Sequence, residues 1–254
     1  MAKNLRFRDK ILLTLSFLGD EFFEIIQPYS VKMKKMAGIL PPDYKLTNFQ
    51  ANTNRMIRTG YMEKIVKDGE PYLRLSNMGK NVIARDFPFL KFRNKNWDGY
   101  WRVISYDIPE KFKGSRHSLQ EKLKELGFGM LQKSIYISPH NIAEDLQEYI
   151  ENNNLKDFAA VMVAKRVFGK SNQTLAWEVW NLEKLEEKYW EWISDGEEFQ
   201  NKQEKNYQKF AKLQDRFIDI IFKDPFLPKE LQPNSWPSNE AIKKFHSLLK
   251  QQCS

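Results

Sequence analysis

Apolar residues recur along this chain with two different rhythms, and each change of rhythm marks a boundary. In DKILLTLSFLGDEFFEII, residues 9–26, Ile11, Leu12, Leu15, Leu18, Phe22 and Ile25 fall at helical steps. That spacing predicts one or two amphipathic helices, with Gly19 as a break. VKMKKMAGIL is a second helical stretch and stops at Pro41–Pro42. Phe49, Thr53, Met56 and Ile57 then outline the inner face of a helix over residues 47–59, with Gly60 as its stop. YMEKIV and PYLRLS read as strands on either side of KDGE, where Asp68–Gly69 is a tight-turn signal. NMGKNVI returns to a helical pattern. Helix, glycine stop, hairpin and helix is the layout of a winged helix-turn-helix.

ARDFPFLKFRNKN, residues 84–96, is a proline-punctuated polar connector that places a boundary near residue 95. The period then becomes two. In YWRVISYDI, Trp101, Val103 and Ser105 share one face, and Ile104, Tyr106 and Ile108 the other. Both faces are mostly apolar, which predicts a central strand. A helix follows with Leu119, Leu123 and Leu126 on one stripe and Gly127 at its end. GMLQKSIYISP is strand again, with a short hairpin within it. NIAEDLQEYIENN is a helix and FAAVMVAKRV a last strand. The order β-α-β-β-α-β predicts a ferredoxin-like sandwich. Beyond residue 172 the pattern is helical throughout. Trp177, Trp180, Leu185, Tyr189 and Trp192 lie at helical steps, and one further helix is expected over about 197–222. The expectation is an α+β protein with a winged-helix domain at 1–95, a ferredoxin-like domain at 96–171 and a helical domain at 172–254.

Charge sharpens this division. Residues 1–95 hold 18 Lys and Arg against 9 Asp and Glu, a balance of +9; residues 96–254 hold 23 against 24. The positive excess of the whole chain therefore lies in its first third, which points to an anionic partner for that part alone, most often nucleic acid. Cys253 is the only cysteine, so no internal disulfide or cysteine-ligated metal site is available, and a reducing cytoplasm is the expected location. ILLTLSFLG resembles the core of a signal peptide, but the acidic DEFFEII follows where a small-residue cleavage site would stand. It is also too short and polar to span a bilayer.

The residue types on the helix over 47–59 suit DNA. Asn48, Asn52 and Arg55 share one side, and Gln50, Asn54 and Arg58 a neighbouring strip. Asparagine pairs bidentately with adenine and arginine with guanine. We therefore take Asn48, Asn52 and Arg55 as base-edge candidates, and Arg58, Lys64, Lys67 and Arg74 as phosphate candidates. The bland reading of the same helix is a solvated polar face. His117, His140 and His246 are far apart, expected at the surface or as caps, and make neither a zinc site nor a catalytic triad. Trp177, Trp180, Trp190 and Trp192 sit among glutamates, which favours packing over base stacking. Asp107 ends the first central strand; it either binds a metal, as in a nuclease, or accepts backbone N–H bonds and caps the EKFKGS turn. Arg116 is a candidate partner for it, though a solvated role is the expectation.

Three segments, YDIPE, LGFGMLQKSIYISP and DPFLPKELQPNSWP in that order, together with AWEVWNLEKLEEKYWEWI, resemble the phenylacetate-degradation repressor (PaaX) family over essentially the whole chain. The central segment is also similar to the small ferredoxin-fold, nuclease-like subunit of CRISPR adaptation complexes. The resemblance implies a dimeric transcriptional repressor that binds double-stranded DNA, without a cofactor and without catalysis. It further implies a small-molecule effector. Members of the family release DNA on binding an aryl acyl-CoA, yet residues 96–254 advertise no basic cluster for the phosphates of coenzyme A. The relatives from CRISPR systems imply the alternative, a metal-dependent nuclease in which Asp107 pairs with its mate across a dimer to hold the ion.

Overall fold

The computed structural model describes Leu12 and residues 46–67, 70–86, 88–93, 95–167, 169–202 and 207–253. The helices expected before residue 45 and the Asp68–Gly69 turn lie outside the described residues, apart from Leu12, which is helical and fully buried. The chain forms two compact units. One comprises residues 1–86, 186–223 and 237–254, the other residues 87–185 and 224–236. Neither unit is a single continuous stretch.

The first unit opens with α1 (Leu46–Arg58), hairpin strands β1 (Met62–Lys67) and β2 (Glu70–Leu75), and α2 (Asn77–Asp86). Thr53 and Met56 of α1 are buried, one helical turn apart as its periodicity requires. Its end is set by Gly60 at φ 77°. The Gly60 N–H donates to the Ile57 carbonyl at 3.0 Å and the Tyr61 N–H to the Met56 carbonyl at 2.9 Å, a glycine-terminated cap that satisfies carbonyls a helix end otherwise leaves bare. β1 and β2 are antiparallel from Met62 opposite Leu75 to Lys67 opposite Glu70. The same unit holds most of α6 (Leu182–Asn201), with α7 (Tyr207–Ile221) and α8 (Ser238–Cys253). The single helix expected over 197–222 is instead the end of α6 and the whole of α7. Trp192, Phe217 and Phe245 form its aromatic centre, with ring centroids 4.2 to 6.2 Å apart. The Trp192 indole N–H donates to the Leu213 carbonyl at 2.7 Å, which satisfies the polar edge of a fully buried ring.

The second unit is a four-stranded sheet with elements on both faces. Its strands are β3 (Trp101–Tyr106), β4 (Gly129–Gln132), β5 (Ile135–Ser138) and β6 (Ala159–Ala164), in the spatial order β4-β5-β3-β6 with all neighbours antiparallel. GMLQKSIYISP is thus a hairpin, and Ser134 at φ 67° makes its turn. Helices α3 (Lys113–Glu125) and α4 (Ala143–Asn152) supply Leu119, Leu123, Leu146 and Ile150 to a core with Ile104, Tyr106 and Ile108. The other face of β3 carries Trp101. That face is covered by Leu175 and Ala176 of α5 (Asn172–Val179), by Leu182, and by Leu227 and Leu231 of the DPFLPKEL segment. The two-sided apolar pattern of YWRVISYDI therefore corresponds to two separate cores, one on each side of a central strand. Trp101 is fully buried; it donates to the Asn172 side-chain carbonyl at 3.0 Å and stacks on Trp180 at 6.2 Å.

Candidate nucleic-acid interface

The polar helix α1 and the hairpin are held together by one side chain. Ser76 begins α2 as its N-cap: its hydroxyl accepts the Gly79 N–H at 3.0 Å and donates to the Gly60 carbonyl. The same residue's N–H donates to the Tyr61 carbonyl at 3.2 Å. Ser76 thus ties the end of α1, the base of the hairpin and the start of α2 into one corner. Gly79 completes it, because a methyl group there would collide with the Tyr61 carbonyl oxygen. The order of residues SNMG carried a cap signal for Ser76; only the fold shows that the hydroxyl also reaches back to α1.

On this frame the candidate residues divide. Arg55 and Arg58 of α1 are exposed, as is Asn54 between them. Both arginines stand in the last turn, where positive charge also complements the helix dipole. Asn52 is half-buried and engaged within the chain. The side chains of Asn48 and Lys67 lie outside the described residues. Lys64 is exposed on β1 and is also engaged within the chain. Arg74 sits directly across the hairpin from Glu63 and forms an ion pair with it. Both partners are half-exposed, so this pair contributes little to stability and a phosphate can compete for the guanidinium.

Asp107 follows β3 and faces solvent. Its backbone N–H donates to the Phe158 carbonyl at 2.8 Å and extends the β3–β6 ladder by one rung. Its carboxylate makes no hydrogen bond or ion pair with another described residue. The expected capping role is therefore corrected: the turn at Glu110–Phe112 begins without a side-chain cap. Arg116 pairs with Glu110 at 2.6 Å and not with Asp107. Among the described residues no three His, Cys, Asp or Glu side chains gather in a way that could hold a metal ion.

Two of the polar groups buried in the central unit are Arg102, which the sequence did not single out, and His140. Arg102 lies on the apolar strand β3 and is buried. Asp98 neutralises it through two oxygens, one of them 2.7 Å from the guanidinium, and the Tyr100 carbonyl accepts a further bond at 2.9 Å. The arginine holds the Asp98 carboxyl below the usual carboxylate range. The signal was a lone charge inside an alternating strand. His140, expected at the surface or as a cap, is instead buried. Its ring stacks on Phe92 at 3.9 Å and 6°, and its Nε2 lies 3.3 Å from the Pro225 carbonyl. Burial, with the nearby Arg102 charge, holds its pKa down to about 4. Trp192 packs inside the fold and Trp177 and Trp180 are half-buried, whereas Trp190 is exposed.

An α+β chain with a basic helix-and-hairpin segment, an antiparallel sheet flanked by helices and a helical C-terminal part is the class these features define. Two family models match it: the PaaX protein central Cas2-like domain over residues 94–176 and the PaaX-like protein C-terminal domain over residues 180–253. Together they span more than half of the chain, which belongs to the PaaX family. Membership fits a transcription regulator and not an enzyme. No curated protein matches the chain. Among solved structures it is similar to "Uncharacterized protein Rv0674 from Mycobacterium tuberculosis", with 18% identity, a TM-score of 0.59 and 94% of each chain covered. At that identity the likeness concerns the fold. No described helix is long and apolar enough to cross a membrane.

Proposed function

We propose that this chain is a sequence-specific regulator of transcription, a repressor that grips double-stranded DNA as a dimer through a winged helix-turn-helix in residues 1–95. The observation that carries this reading is the corner built by Ser76, which sets the exposed Arg55 and Arg58 of α1 beside the hairpin that carries Lys64, Lys67 and Arg74. Family membership supports the same reading. In it, Arg55 reads a base edge, with Asn48 and Asn52 as its companions, and Arg58, Lys64, Lys67 and Arg74 meet phosphates. In the same reading the ferredoxin-like middle, residues 96–171, and the helical end, residues 172–254, pair the protomers and answer a small-molecule effector. Two readers held at fixed spacing match a two-fold operator.

The test is a gel shift on DNA upstream of the chain's own gene and on scrambled DNA, at several salt concentrations. Tighter binding to the upstream DNA, with affinity falling steeply as salt rises, is expected. Equal binding to both sequences at every salt concentration sinks the specific reading.

A further inference from the structure

The two edges of the four-stranded sheet are unlike. β4 is short, its register shifts between Met130 and Gln132, and Gly129 lies tight against Val179 and Trp180. Irregularity and cover of this kind are how sheets protect an edge. β6 has neither. It pairs with β3 through six consecutive residues without a shift, and no described strand lies beyond it. Its sequence, AAVMVA, contains no charge, no proline and no glycine. Met162 and Val163 are 46% and 57% exposed. Alternate N–H and C=O groups of such a strand point outward with no ladder to join. A regular, apolar, uncharged edge is a template for another strand.

The flanking charges select the occupant. Asp157 precedes the strand and Lys165 follows it. Both are exposed, and neither forms an ion pair with another described residue. Two copies of one strand can extend a common sheet only about an axis perpendicular to it, because only that axis keeps each side chain on its own face. A residue of the strand then lies opposite itself. With Val161 at that centre, Ala160 faces Met162 and Ala159 faces Val163; beyond the strand ends the same symmetry brings the turn that holds Asp157 toward the bend that holds Lys165, twice. We propose that β6 is the surface through which two copies of this chain pair, edge to edge and antiparallel about Val161, with each Asp157 brought toward Lys165 of the other copy. The inference rests on the dimer reading above and supplies its surface.

The experiment is sedimentation equilibrium of the full chain over a range of concentrations, with gel shifts in parallel. Asp157→Lys and Lys165→Asp each replace two opposite-charge contacts by two like-charge contacts. Each is expected to weaken the dimer roughly tenfold or more. The double exchange, Asp157→Lys with Lys165→Asp, is expected to restore it. Circular dichroism checks that helix content is unchanged. Should a reversal lower it, Val163→Lys, which sets a charge into the edge, takes its place and must give the same loss. A wild-type dimer that the single reversals leave intact, or that the double exchange fails to restore, overturns the β6 surface while the dimer reading stands. A wild-type chain that is monomeric at every concentration, with or without DNA, overturns both.

Discussion

Single side chains in this protein do two kinds of work, and substitutions separate them. Arg55 and Arg58 are one helical turn apart on α1 and both exposed, yet the proposed roles differ. Arg55→Ala should lose base preference by roughly 1–3 kcal/mol at one operator position, while Arg58→Ala should weaken all sequences alike and lower the salt slope by about one. Competition gel shifts across salt concentrations measure both; equal losses on every sequence from both variants would refute the assignment. His140 is an internal case. Its folded pKa of about 4 lies below the ordinary 6.5, so the unfolded chain takes up a proton in a range where the folded chain does not. The stability it supports is complete above about pH 6.5 and is lost as pH falls toward 4, by on the order of 3 kcal/mol. Urea unfolding of wild type and His140→Phe between pH 7 and 4 tests this, the variant losing less over that interval. Arg102 was passed over and His140 expected elsewhere because burial of a polar side chain depends on what the fold lays over it: the Asp98 carboxylate in one case, the Phe92 ring and the Pro225 carbonyl in the other.

At the scale of elements, the hairpin corner depends on contacts shorter than any side chain allows. Gly79 stands where a methyl group meets the Tyr61 carbonyl oxygen, which is backbone and cannot swing aside. Gly79→Ala should therefore destabilise the α1–hairpin–α2 corner by about 2 kcal/mol or more, and Ser76→Ala by about 1–2 kcal/mol through loss of the cap. Hydrogen exchange at the amides of Tyr61 and Lys80 should rise in both variants; unchanged protection would show that the corner is held by something else. Gly60 was readable as a helix stop because its place after an amphipathic run is a local signal, and YWRVISYDI as a two-sided strand because alternation is local too. The end of α6 at Asn201 carried a local signal that a single helix over 197–222 passes over: residues 200–206, QNKQEKN, hold no apolar position.

For the whole molecule, the charge division has a measurable consequence. With a +9 balance in residues 1–95 and −1 in the remainder, binding to DNA should be dominated by phosphate contacts of the first third and should decay linearly in log affinity against log salt. Asp107→Ala should leave that affinity unchanged, and the wild type incubated with Mg²⁺ or Mn²⁺ should leave DNA uncut; metal-dependent cutting abolished by the variant would reverse the assignment to a regulator. The successive segments of the chain do not coincide with its compact units. Residues 186–223 and 237–254 join the N-terminal unit, while residues 224–236 return to cover Trp101 and Ile137 on the sheet. Periodicity, punctuation by glycine and proline, and the distribution of charge are properties of neighbouring residues. The sequence by itself therefore determined the order of elements, the basic character of the first third and the two-sided central strand. Tertiary structure alone decided that Ser76 locks the corner of α1, hairpin and α2, that Arg74 meets Glu63, that Arg116 turns to Glu110 and away from Asp107, and that no described strand lies beyond β6. Each of these joins residues, or leaves a partner wanting, across distances that no local pattern records.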